Sequence, residues 1–139
     1  QRIEVGVRAD TDGDGSFTND ETTTPGGNVT YRVTFDNDFP VPVTVTNFED
    51  VFNGTSVTCL TAGGGDIVGI VIPPDDGDAA AGPDILDGGA DEIQCTYDFP
   101  ASDEPGDPHE IIVRGTVEDT ASGASAVGQD GVNIFVVLP

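Results

Sequence analysis

Apolar and polar residues alternate with a period of two along most of the chain. Ile3, Val5, Val7 and Ala9 alternate with Glu4, Gly6 and Arg8, and Val29, Tyr31, Val33 and Phe35 alternate with Thr30, Arg32 and Thr34. Val41, Val43 and Val45 continue the pattern, followed by Val57 and Cys59 and by the unbroken apolar run IVGIVI at 67–72. Ile93, Cys95, Tyr97 and Phe99 form the next group, then Ile111, Val113, Gly115 and Val117, and VNIFVVL at 132–138 the last. Alternate side chains of a strand face opposite sides, so the pattern predicts about eight strands and no sustained helix. Turn-forming stretches such as TTTPGGN (22–28) and DNDFP (36–40) separate the groups. The whole reads as an all-β chain, an antiparallel sandwich or barrel.

At 139 residues the chain has the length of one domain, 1–139, with a core of its own. It opens at Gln1 directly into a strand pattern, and we read it as a mature, processed chain or an excised domain. Between the strand groups, PPDDGDAAAGPDILDGGADE at 73–92 is a long acidic loop, more than a connection requires. No apolar run approaches the roughly 20 residues that span a bilayer.

Charge changes the picture more than length does. Acids number 26 against four arginines, with no lysine, for a net charge of -22. Such a surface repels phosphate backbones and anionic lipid, so nucleic acid and direct membrane insertion are not expected. Solubility or salt adaptation accounts for acids spread along the chain. The run DTDGDGSFTNDE at 10–21 is different, because it gathers five carboxylates in twelve positions.

That run matches a twelve-residue calcium loop at its defining positions: Asp10, Asp12 and Asp14 at 1, 3 and 5, Gly15 at 6 and Glu21 at 12. Alternate short carboxylates converge on one centre, the glycine permits the reversal, and the glutamate closes the shell with two oxygens. The Ser16 carbonyl and Thr18 complete the set, and Phe17 is expected to anchor the loop to the core. The flanks are a strand pattern and TTTPGG rather than helices, so the site joins two strands and is expected to stiffen structure with calcium. A weaker second candidate is the DDGD segment with Asp84 and Asp87 in the acidic loop.

Cys59 and Cys95 both lie in strand-like sequence. Two cysteines and one histidine cannot build a four-ligand zinc site, so a disulfide and an oxidising, extracellular setting are expected, against the alternative of two buried thiols. Sequons stand at Asn28 (NVT) and Asn53 (NGT), with Asn53 the more accessible by its turn, so glycan attachment is expected. His109 reads as a surface residue, no nucleophile motif surrounds any serine, and no phosphate loop is present. The chain is therefore not expected to be an enzyme.

PGGNVTYRVTFDN, PVTVTNFEDVF, the cysteine pair, CTYD and EIIVRGTVED together resemble one copy of the immunoglobulin-like repeat of bacterial and archaeal surface proteins. The resemblance covers about two-thirds of the chain. It implies an antiparallel Greek-key β-sandwich with a structural or adhesive role at the cell surface, and it supplies no catalytic residue. The calcium-type loop is not part of that pattern. In the last strand, 131–139, Val132, Ile134, Val136 and Leu138 fall on one face while Phe135 and Val137 make the other apolar too. A strand apolar on both faces at the end of a chain suits donation to a neighbouring copy. The expectation is a homopolymeric extracellular filament built by strand complementation. The alternative is a calcium-dependent adhesion or spacer module of a larger surface protein.

Overall fold

The computed structural model describes residues 3–75 and 90–138. Among them the fold is all-β, a sandwich of two sheets without helices. The strands are β1 (Ile3–Asp10), β2 (Asp20–Thr23), β3 (Asn28–Asn37), β4 (Val43–Asp50) and β5 (Thr55–Ser56). They continue with β6 (Leu60–Thr61), β7 (Val71–Ile72), β8 (Glu92–Pro100), β9 (Gly106–Asp119) and β10 (Ser125–Val136). One sheet has the order β1-β3-β8-β6; the other runs β2-β10-β9-β4-β5, with β7 also on β4. Every pairing is antiparallel except that of β2 with β10, which is parallel.

The alternation places the core where it was expected. Val5, Val7, Val29, Tyr31, Val33 and Phe35 from the first sheet meet Val45, Phe48, Val113, Val117, Val132 and Ile134 from the second, all buried. Tyr31 stacks on Tyr97 with ring centroids 4.9 Å apart, and Phe48 meets Tyr97 edge-on at 5.7 Å. Such offset and edge-to-face aromatic pairs add to the hydrophobic gain of burial.

Two departures from the sequence reading stand out. The run at 67–72 is not one strand: only Val71–Ile72 is regular strand, because Gly69 takes a left-handed φ of 101° and distorts the chain, while Gly69 and Ile70 still hydrogen-bond to Val45 of β4. Ile67 and Ile72 anchor this segment in the core, while Val68 and Val71 face solvent. The short strand β2 escaped detection because DETT has no apolar residue and holds its place through backbone pairing.

The strand expected to suit donation to a neighbour pairs, within this chain, with its own sheet. β10 is internal, paired along its length with β9 and flanked by β2 at residues 133–136. Val132, Ile134 and Val136 fill this chain's own core, Phe135 is half-buried, and Val137 and Leu138 are exposed beyond the strand. Apolar residues on both faces thus mark a strand inside its own sheet. The second calcium candidate, DDGD with Asp84 and Asp87, lies outside the described residues apart from Asp75.

Candidate metal centre

The 10–21 loop is where the chain leaves one sheet for the other: Asp10 ends β1, and Glu21 lies in β2. A reciprocal pair of backbone hydrogen bonds between Ala9 and Thr18, both 2.9 Å, closes the loop at its base. Within it the carboxylates act as turn formers. Asp10 Oδ1 accepts the N–H groups of Asp12 and Gly13, Asp12 Oδ1 accepts that of Asp14, and Asp14 Oδ1 accepts that of Ser16. Each side chain caps the backbone two residues on, as short Asp residues do in tight turns. Gly13 and Gly15 carry the left-handed φ values, 74° and 80°, that bring the chain back on itself. The Gly15 N–H then donates to Asp10 Oδ2 at 3.0 Å.

Glu21 reaches across from β2. Its Oε1 accepts the N–H of Thr11 at 3.1 Å and its Oε2 accepts the Thr18 hydroxyl at 2.8 Å. One carboxylate oxygen from each of Asp10, Asp12 and Glu21 falls in a group whose members all lie within 4.8 Å of one another. Asp10 is buried, Asp12 exposed and Glu21 half-buried. Asp14 is not in that group; it is exposed, and so is Ser16. The loop therefore gathers three of the four expected carboxylates, with the Thr18 hydroxyl on the third.

Crowding shows in the electrostatics. Burial pushes the Asp10 carboxyl up, but the N–H of Gly15, the facing Asp12 carboxyl and the N–H groups of Asp12 and Gly13 together hold it below its ordinary value. Asp12 moves the other way. The N–H of Asp14 lowers it, but the facing carboxyls of Asp10 and Asp14 outweigh that and raise it. The two carboxyls are displaced in opposite directions because Asp10 takes most of the loop N–H donors while Asp12 faces two other acids. Hard oxygen donors of this kind suit calcium among the common divalent ions.

Phe17 does not reach the core. It is half-buried, with the Arg32 guanidinium 4.5 Å above its ring, so it fastens the loop to the outer face of the β1–β3–β8 sheet.

The remaining sequence candidates separate. Cys59 and Cys95 form a disulfide with Cα atoms 5.3 Å apart; Cys95 lies in β8, while Cys59 precedes β6 instead of lying in a strand. Asn28 is exposed at the start of β3. Asn53 is half-buried and donates Nδ2 to Asp50 Oδ2 at 2.8 Å, so Asn28 and not Asn53 is the more exposed of the two sequon asparagines. His109 is half-buried, its ring 5.2 Å from that of Phe52 and its Nε2 3.0 Å from the Glu104 carbonyl. Sequence reasoning missed Asp50, a carboxylate with no solvent exposure that also accepts the Tyr97 hydroxyl at 3.0 Å. Its one signal was the Asp–x–x–Asn spacing with Asn53, whose N–H it accepts at 3.0 Å. Among the described residues no helix is long and apolar enough to cross a membrane.

No protein-family model and no curated protein matches this chain. Among solved structures it is similar to a family 123 glycoside hydrolase from Clostridium perfringens, described in a study of glycolipid glycan hydrolysis. The identity is 7%, the TM-score 0.37, and the match covers 98% of this chain and 28% of that one. A likeness that weak carries no argument.

Proposed function

We propose that this chain is a structural module of an extracellular surface protein, an immunoglobulin-like sandwich stiffened by calcium and stapled by its disulfide. The observation that carries the reading is the convergence of Asp10, Asp12 and Glu21 at the point where the chain crosses between sheets. An ion there ties the end of β1 in one sheet to β2 in the other, which is a stiffening role and not a switching one. The architecture adds support. The orders β1-β3-β8-β6 and β10-β9-β4-β5 follow strands A-B-E-D and G-F-C-C′ of immunoglobulin sandwiches. The disulfide supports an oxidising compartment. Because β10 is held within its own sheet, a spacer or adhesive module is favoured over a strand-exchange filament. Asn28 is the position for an attached glycan.

Calcium added to chelated protein is expected to raise the melting temperature. At a hundredfold excess over Kd the gain is about 2.7 kcal/mol, on the order of 10 °C for a chain of this size. Glu21→Gln and Asp12→Ala are expected to lose most of the rise. A melting temperature indifferent to calcium, or variants that respond as the wild type does, would rule the site out.

A further inference from the structure

Past the end of β4 an exposed turn is wired to a buried acid. Residues 51–54 carry the chain from β4 into β5, which pairs back on Glu49 and Asp50. Gly54 closes the turn at a left-handed φ of 65°, its N–H donates to the Val51 carbonyl at 3.3 Å, and nothing lies within 4 Å of where its Cβ would stand. The residue before it is Asn53, and this is the one Asn–Gly pair in the sequence. An asparagine followed by glycine loses its side-chain amide readily, because the glycine nitrogen is unshielded and its backbone turns freely. In the closed turn that reaction is held off. Asn53 gives Nδ2 to Asp50 Oδ2 at 2.8 Å and its N–H to Asp50 Oδ1 at 3.0 Å. Asp50 is fully buried, and the Tyr97 hydroxyl donates to the same Oδ2 at 3.0 Å. The labile amide is thus one end of a hydrogen-bond network whose other end lies in the core.

We propose that Asn53 is a site of spontaneous, one-way modification: local opening of the turn lets the Asn53–Gly54 pair convert, and Asp50 then keeps the turn from closing again. The chemistry needs only water. With the turn open, the Gly54 nitrogen attacks Asn53 Cγ and a C–N bond forms. The bond from Cγ to Nδ2 breaks, and ammonia leaves with the proton that the Gly54 nitrogen gives up. Water then opens the cyclic imide at one of its two carbonyls. The product at position 53 is aspartate or, with the main chain rerouted through the side chain, isoaspartate. Either way a carboxylate replaces the amide that faced Asp50 Oδ2. Asp50 loses a donor while its desolvation cost remains, and a second acid stands against it. Isoaspartate also lengthens the backbone, which spoils the spacing of the Asn53 and Gly54 N–H groups. The change at the surface is passed through Asp50 to Tyr97 and the stacked Tyr31. Asn53 also heads the NGT sequon, and Nδ2 is the atom a glycan would take, so either event forecloses the other.

Ageing the intact protein in warm, mildly alkaline buffer tests it, with peptide mapping by mass and an isoaspartate-specific assay. Amide-to-acid exchange is expected at Asn53 ahead of the other asparagines, and several-fold more slowly than in the reduced, urea-unfolded chain. The converted protein carries one more negative charge and separates from the parent by ion exchange. Hydrogen exchange at the Asn53 and Gly54 N–H groups is expected to be several-fold faster in it than in unconverted protein. Asn53→Asp, which copies the aspartate product, is expected to show the same loss of protection. Asn53→Ser, which removes the amide without adding charge, is expected to show a smaller one. Should Asn53→Asp fail to fold, the aged and separated wild type supplies the comparison. Conversion in the folded protein as fast as in the unfolded chain, no conversion at Asn53 while other asparagines react, or a converted turn as well protected as the parent overturns the proposal.

Discussion

Asp50 sits buried at the end of β4, where its carboxyl accepts from three donors: the Tyr97 hydroxyl, the Asn53 amide and the Asn53 N–H. A buried carboxylate persists only when hydrogen-bonded, and removing one donor leaves the desolvation cost behind. Tyr97→Phe is therefore expected to cost about 1–3 kcal/mol in a urea titration. Burial, then the charge of Asp50, pushes both the Tyr31 and the Tyr97 phenols well above their ordinary value. The sign follows directly: the native state holds these protons more tightly than the unfolded chain does. Their stabilisation is complete below the unfolded value of about 10 and falls as pH rises above it. The variant should show a shallower alkaline loss; an unchanged midpoint and an unchanged alkaline slope would contradict this account. The residue-level reading of the sequence found Tyr97 as an inward strand position but took NGT at 53 for an open glycan acceptor. Burial of a neighbouring acid, which recruits the amide, is a tertiary fact that local sequence does not carry.

At the scale of elements, alternation was informative wherever one face of a strand meets the core. Ile3–Asp10, Asn28–Asn37 and Glu92–Pro100 lie where the period of two put them, β9 extends further than its apolar residues do, and β10 begins earlier, at Ser125, and ends at Val136. The misses are strands without an apolar residue, such as β2, and apolar runs broken by a glycine in left-handed conformation, as at Gly69. The 10–21 loop was legible because its chemistry is local: ligand spacing and glycine position lie within twelve residues. Its bridging of two sheets was not, since nothing in DETT announces a parallel partner more than a hundred residues away. The disulfide fastens the segment that crosses from β5 in one sheet to β6 in the other, and it closes a separation of 36 residues. On the chain-entropy account such a closure contributes about 4 kcal/mol. Urea unfolding with and without reductant is expected to show a loss of that order, and coincident curves would count against a stabilising role.

Taken as a whole, the molecule sets -22 charges on 14.3 kDa against a thin two-sheet core. Self-repulsion on that scale favours expansion, so long-range closures matter more here than in a neutral domain of equal size. The chain has a covalent one at Cys59 and Cys95, and under the proposed function calcium at Asp10, Asp12 and Glu21 supplies a second between β1 and β2. They act on different crossings between the sheets, so their effects on stability should be nearly additive when both are removed. Adding calcium to reduced protein should accordingly recover as many degrees as it does for the oxidised form, and a recovery confined to the oxidised form would mean the two are coupled. The stacked tyrosines have a consequence of another kind. The chain has no tryptophan and only these two tyrosines, so its near-ultraviolet absorbance and emission arise almost wholly from one ring pair, sealed in the core beside a carboxylate. Contact between the rings and proton donation to Asp50 both quench phenol emission, and a rigid stacked pair gives a strong circular dichroism in the same band. The folded molecule is therefore expected to be dim and strongly dichroic in this band and the unfolded chain brighter and nearly silent, so that the ring pair reports the state of its own core without a label.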